Sequence, residues 1–293
     1  MTKKKRAAKR PVKRRRLFWA AAAAACLLLG AVLWRAAVRP AQLELPYLTA
    51  RSVVVLDGES GQSLYDKDGD TPRSPGSVTK LMTLLLVLDD IESGAVGWED
   101  EYTVGREEAE ALGSVYGMRP GEVFSVRQLV AGAALPSGCD CVQCLVRLCA
   151  GDEESFVRRM NDKAEELGLK GSSFANATGI DASGHYMTAR DIAALAAVLV
   201  ESHPELLDFT SRRTMEVDGR SFTNTNRLAG RDPRVLGLKT GTTQIGGCNL
   251  VTYARAEERS AVIVLLDSNS SDTRFSETET VMDALFGEGT DLG

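Results

Sequence analysis

The stretch SVTKLMTLLLVLDDI, Ser77 to Ile91, constrains this chain more than any other. It has no glycine or proline, and its apolar groups run around the helix instead of forming a stripe. A helix of that kind is buried on most sides, so other elements must enclose it. Lys80 lies within it. A lysine facing a packed surface is costly unless its charge has a partner or a task.

The flanking patterns supply the enclosure. RSVVVLD (Arg51 to Asp57), the turn GESG and the return QSLYD read as a β-hairpin. A helical block follows: SVRQLVAGAAL (Ser125 to Leu135), a helix from Cys139 to Leu148, and ESFVRRMNDKAEELG, with Phe156, Met160, Ala164 and Leu167 at helical spacing. Thr188 and Asp191 resemble a capping box before DIAALAAVLV. The last third changes period. Residues 213–219, VLGLKTGT, CNLVTYARA and SAVIVLLDS read as strands, and Glu277 to Leu285 as a short final helix. The expected fold is α/β in the α+β sense: one antiparallel sheet, joining the first strands to the last, flanked by helices that include a helical subdomain.

Charge is unevenly distributed. Of 35 lysines and arginines, 12 fall in residues 1–40, which hold no acid. The remaining 23 face 40 acidic residues, a formal charge of −17 beyond residue 40. A body this acidic argues against nucleic-acid binding by the basic N-terminus. The 18 apolar residues from Leu17 to Trp34 instead suit a membrane span. The basic side would stay in the cytoplasm, and Trp19 and Trp34 would anchor the two interfaces. A cleaved signal peptide is the alternative; either way the body is exported. The expected organisation is a cytoplasmic basic segment (1–16), a transmembrane anchor (17–34), a linker (35–47), a catalytic domain (48–288) and a polar tail (289–293). The spacing of Cys139, Cys141, Cys144, Cys149 and Cys248 lacks the paired CxxC of a structural zinc site, so free buried thiols with at most one disulfide are expected.

Ser77 and Lys80 are three residues apart and share a helix face. A lysine with a lowered pKa is a base for a serine nucleophile. On its own this pair is a weak signal. LPSGCD adds Ser137 on a turn between helices. GLKTGTT adds Lys239, Thr240 and Gly241 on a strand, a plausible carboxylate dock, where a glycine admits a close backbone. The backbone N–H groups of Ser77 and Thr242 are candidates for an oxyanion hole. Of the two histidines, His185 is expected to be structural and His203 a surface or capping residue.

With SVTK, LPSGCD and KTG in order, and with VVLDGESGQSLYDKDGD, FVRRMNDKAEELG, SFANATGIDASGHYMTARDIA and GLKTGTTQIGGCNLV around them, the chain resembles the penicillin-binding serine D-alanyl-D-alanine carboxypeptidases over about residues 48–270. These are low-molecular-weight peptidoglycan peptidases, family S11-like. The resemblance implies a β-lactamase/transpeptidase-like fold and no cofactor or metal. It implies Ser77 as acylated nucleophile, Lys80 as its base and Ser137 in proton relay. Lys239 and Thr240 would bind the terminal carboxylate, with Cys139, Gly241 and Thr242 also lining the substrate. The substrate would be a stem pentapeptide ending in D-Ala-D-Ala, outside the bacterial membrane, and β-lactams would acylate the same serine. One departure stands out. The family's second motif is Ser-x-Asn, and here it is Ser137-Gly138-Cys139. A thiol cannot supply both the carbonyl acceptor and the amide donor of asparagine. The resemblance therefore leaves two other readings: a D,D-endopeptidase, and a catalytically impaired wall-binding protein.

Overall fold

The computed structural model describes residues 43–287. The basic segment, the apolar span, Cys26 and the polar tail lie outside these residues. Among the described residues, no helix is long and apolar enough to cross a membrane.

Five strands form one antiparallel sheet in the order β2-β1-β9-β8-β7. They are β1 (Ser52–Asp57), β2 (Ser63–Lys67), β7 (Val235–Thr243), β8 (Gly247–Ala256) and β9 (Arg259–Ser268). The N-terminal hairpin thus joins the C-terminal meander, as the sequence pattern implies. Strand periodicity explains the apolar density of β9. Val262, Val264 and Leu266 enter one core, while Ala261, Ile263 and Leu265 enter the other. A sheet covered on both faces needs no polar side, so such a strand reads as a continuous apolar run.

The larger core lies under the helical layer. Its centre is α1 (Lys80–Glu92), in which every residue from Lys80 to Leu88 is buried. Each fully buried leucine there contributes about 1.5–3 kcal/mol. The helix runs out at Ser93 and Gly94, whose φ of 77° breaks the helical path. Around it pack α3 (Val126–Ala134), α4 (Cys139–Ala150), α5 (Glu153–Glu166) and α6 (Ala189–Ser202). A short α2 (Arg106–Ala109) precedes this block, and α7 (Leu206–Thr210) follows it. Ser125 and Gln128 form a full capping box on α3. The expected box on α6 is only half made. Thr188 accepts from the Asp191 N–H, but the Asp191 carboxylate accepts from Gly171 and Ser172 instead. The second core is closed by α8 (Ser271–Phe286), through Phe275, Val281, Met282 and Leu285. This helix starts before the expected Glu277 because Ser270 caps it.

Two small hairpins complete the fold: β3 (Glu101–Thr103) with β4 (Val123–Ser125), and β5 (Thr214–Val217) with β6 (Arg220–Thr223). All five described cysteines are free thiols, and burial pushes those of Cys144 and Cys149 up to about 12. His203 caps the end of α6, but it is buried rather than at the surface, between Asp89 at 2.8 Å and Glu205 at 3.4 Å.

Candidate active site

Strand β7 is an edge of the main sheet, and the three sequence motifs converge on it. Ser77 lies in a 3-10 turn, Gly76–Thr79, that leads directly into α1. Residues i and i+3 of such a turn eclipse each other. Lys80 Nζ therefore lies 2.7 Å from Ser77 Oγ, 2.8 Å from the Thr178 carbonyl and 3.5 Å from Cys139 Sγ. Lys80 is fully buried, and desolvation holds its pKa below the ordinary lysine value, against the opposing pull of Cys139 and Asp140.

The turn is fixed by close approaches. A Cβ on Gly76 would stand 2.9 Å from Thr243 and 3.1 Å from the Thr242 nitrogen, and φ at Gly76 is +55°. A Cβ on Gly241 would stand 2.5 Å from the Pro75 carbonyl. The close neighbour at Gly241 is thus the protein's own turn. Asn249, on β8, donates to the carbonyls of Ser74 and Pro75. On the other side, His185 Nδ1 accepts from the Ala175 N–H at 3.0 Å, which leaves the proton on Nε2, 2.8 Å from Thr79 Oγ1. Burial lowers the His185 pKa to about 4, so the ring is neutral near pH 7.

The second motif joins α3 to α4. Ser137 has φ +67°, a conformation few non-glycine residues take, and its buried hydroxyl has no hydrogen-bond partner among the described residues. Cys139 is buried beside Lys80, and its N–H donates to the Ser114 carbonyl at 2.6 Å. On β7, Lys239 is wholly buried. Desolvation, reinforced by the charge of Lys80, holds its pKa well below the usual value. Among the described residues its one hydrogen bond is to the Thr240 carbonyl at 3.1 Å. The site is therefore short of negative charge: two buried lysines, a serine hydroxyl without a partner and the nearby guanidinium of Arg274.

Several contributors carry no signal in the sequence. Arg274 Nη1 lies 2.9 Å from both the Gly241 carbonyl and Thr242 Oγ1. Thr225 Oγ1 lies 2.6 Å from Thr240 Oγ1 and donates to the Leu135 carbonyl, which ties the second motif to the third. Asn176 folds the loop that presents the Thr178 carbonyl, its Oδ1 accepting from Thr178, Gly179 and Ile180.

The family model described as D-alanyl-D-alanine carboxypeptidase, Peptidase S11, matches residues 38–270. The D-alanyl-D-alanine carboxypeptidase DacF of Bacillus subtilis is 32% identical over 244 residues, 82% of this chain and 62% of that protein. DacC of Escherichia coli, of the same description, is 33% identical over 248 residues, again 82% of this chain and 62% of the relative. The chain thus spans less than two thirds of the length of these curated relatives. Among solved structures, penicillin-binding protein D2 of Listeria monocytogenes in its cefotaxime-bound form superposes with a TM-score of 0.77 at 29% identity, covering 82% of this chain and 98% of that one.

Proposed function

Since this chain belongs to the Peptidase S11 family of D-alanyl-D-alanine carboxypeptidases, we propose that it removes the terminal D-alanine from peptidoglycan stem pentapeptides through an acyl-enzyme on Ser77. The observation that carries this reading is the 2.7 Å contact between the fully buried Lys80 Nζ and the half-buried Ser77 Oγ. A neutral amine has two N–H donors and one lone pair. Lys80 faces three groups, and the count closes if it donates to the Thr178 carbonyl and Cys139 Sγ and accepts from the Ser77 hydroxyl. That is the state a general base requires, and burial favours it.

In this reading Ser77 Oγ attacks the D-Ala-D-Ala carbonyl as its proton passes to Lys80. The N–H groups of Ser77 and Thr242 receive the developing oxyanion. The Ser137 hydroxyl, without a hydrogen-bond partner among the described residues, hands its proton to the departing D-alanine nitrogen and takes the proton that Lys80 accepted, which returns Lys80 to its neutral form for deacylation. Lys239, Thr240 and Arg274 hold the terminal carboxylate in their positive field. Water then cleaves the ester and frees Ser77. β-Lactams acylate the same serine. Residues 17–34 anchor the protein, with the catalytic domain on the outer side of the membrane.

A second reading has a specific observation behind it. Cys139 offers Lys80 only a long sulfur contact at 3.5 Å where the family places an asparagine. A protein that binds the wall without turnover would tolerate that. Mass spectrometry of the intact protein with benzylpenicillin, beside Ser77→Ala, separates the two. A covalent adduct lost in Ser77→Ala, together with D-alanine release from a pentapeptide, supports the enzyme. A folded, reduced protein that forms no adduct supports the binding role.

A further inference from the structure

Cys139 is set apart from its neighbouring thiols. Burial pushes Cys141, Cys144 and Cys149 up, the last two to about 12, and so keeps them protonated. Cys139 is buried too, at 2% exposure, but its sulfur lies 3.5 Å from the amine that faces Ser77. A thiol ordinarily ionises at about 8.5 and an alcohol far above that. A base placed to take a serine proton therefore takes a thiol proton more easily.

The contacts of Lys80 suit either position of that proton. As a neutral amine, Lys80 meets the Thr178 carbonyl and Cys139 Sγ with two N–H groups and Ser77 Oγ with its lone pair. With the Cys139 proton moved to Lys80, the three N–H groups of an ammonium meet the same three atoms, and the sulfur is a thiolate. The thiolate is the form of cysteine that reacts.

The surroundings suit an anion on this sulfur. Lys239, wholly buried, attracts negative charge at Cys139. Ser137, 3% exposed and two residues away on the same turn, has a hydroxyl with no hydrogen-bond partner among the described residues. Gly113 closes the far side, where a Cβ would stand 3.2 Å from Sγ. An atom added to the sulfur therefore points into the cleft that Lys80, Lys239 and Ser137 line.

We infer that Cys139 is an oxidation site for small hydroperoxides, and that its sulfenate form silences Ser77 reversibly. The thiol proton passes to Lys80. The sulfur attacks one oxygen of hydrogen peroxide, and an S–O bond forms as the O–O bond breaks. Sulfur gives up two electrons, and the departing hydroxide takes the sulfenic proton and leaves as water. The products are a sulfenate, a Lys80 ammonium and one water. A fixed anion beside Lys80 holds it charged, and a charged amine has no lone pair for the Ser77 proton. An asparagine in this place has no such chemistry.

The silencing rests on the acyl-enzyme reading of Ser77; the oxidation does not, and the test separates them. The reduced full chain is treated with hydrogen peroxide and dimedone, and the modified residue is located by mass spectrometry. Dimedone should fall on Cys139 and spare Cys141 and Cys144 of the same helix. No adduct on Cys139 overturns the site. In parallel, peroxide alone should slow labelling by a fluorescent penicillin about a hundredfold, the size of a lost base, and dithiothreitol should restore it. Cys139→Asn and Cys139→Ala should each label equally fast before and after peroxide, whatever their own starting rates. Inhibition that persists in both variants overturns the inference, as does a Cys139 sulfenate that leaves labelling unchanged. An untreated protein that never labels is a different result: it sinks the acyl-enzyme reading, while the dimedone adduct still decides whether Cys139 oxidises.

Discussion

The two serines of the site are held in opposite ways. Ser77 is fixed by its surroundings: Asn249 grips the carbonyls of Ser74 and Pro75, Gly76 and Gly241 let the turn press against β7, and His185 braces Thr79 from the loop side. Ser137 sits on a turn held by backbone. The Gly138 N–H donates to the Gly132 carbonyl and the Cys139 N–H to the Ser114 carbonyl. The buried Asp140 carboxylate gathers the N–H groups of Tyr116, Gly117 and Met118 around it. One serine is preorganised down to its hydroxyl, and the other keeps its hydroxyl open. Because the second turn does not depend on the side chain at position 139, that position can change chemistry without changing shape.

The comparison breaks most sharply at Lys80. Lys80→Met keeps the apolar stem and removes the base. Its rate of acylation by penicillin should fall by about 10³-fold, within the range for loss of a positioned base, with the melting temperature little changed. Acylation within tenfold of the unaltered protein would place the base elsewhere. The pH profile gives a second check. A lysine whose pKa is lowered by burial makes acylation rise with pH and level off below 10.5.

The brace on the Ser77 side has its own pH signature. His185 titrates at about 4 in the fold, against about 6.5 in the unfolded chain. Between those values the unfolded state binds more protons, so stability falls as pH falls. The loss across that window reaches about 3 kcal/mol, at 1.36 kcal/mol per unit. Urea unfolding at pH 7 and pH 4.5 should show it, and His185→Gln should flatten the difference. An unchanged difference in the variant would assign the acid sensitivity to other groups.

Much of this was legible in the sequence, for reasons that differ by region. The strands β1, β8 and β9 carry β-branched runs that only a sheet covered on both faces accommodates. Lys80 and Lys239 were conspicuous because buried lysines demand an explanation. Of the small hairpins only β5, inside residues 213–219, was legible; β3, β4 and β6 are three- or four-residue strands with half-exposed polar faces that leave no period to read. Nor were Thr225, Asn249 and Arg274, ordinary residue types whose role comes entirely from distant partners such as Leu135, Ser74 and Gly241. Gly241 was legible as a close approach, but its neighbour in the structure is Pro75.

The smallest expected effect bears on the open side of the comparison. Cys139→Asn replaces a sulfur 3.5 Å from Lys80 with a carbonyl that accepts more strongly and an amide that can donate to a substrate carbonyl. The backbone bonds of the turn and the Asp140 nest are untouched, so the fold should hold. The longer side chain has to extend toward the cleft, because Gly113 closes the other side: a Cβ there would stand 3.2 Å from Sγ. Acylation and D-alanine release should each rise about tenfold, one well-placed hydrogen bond being worth about 1.4 kcal/mol in the transition state. Cys139→Ala, which takes away the weak acceptor without replacing it, should lower both rates about threefold, a loss of about 0.7 kcal/mol. A fall in rate with asparagine would mean that this site is fitted to its thiol. The weak contact to Lys80 would then keep the amine neutral and free to take the Ser77 proton, where a stronger acceptor would favour its charged form.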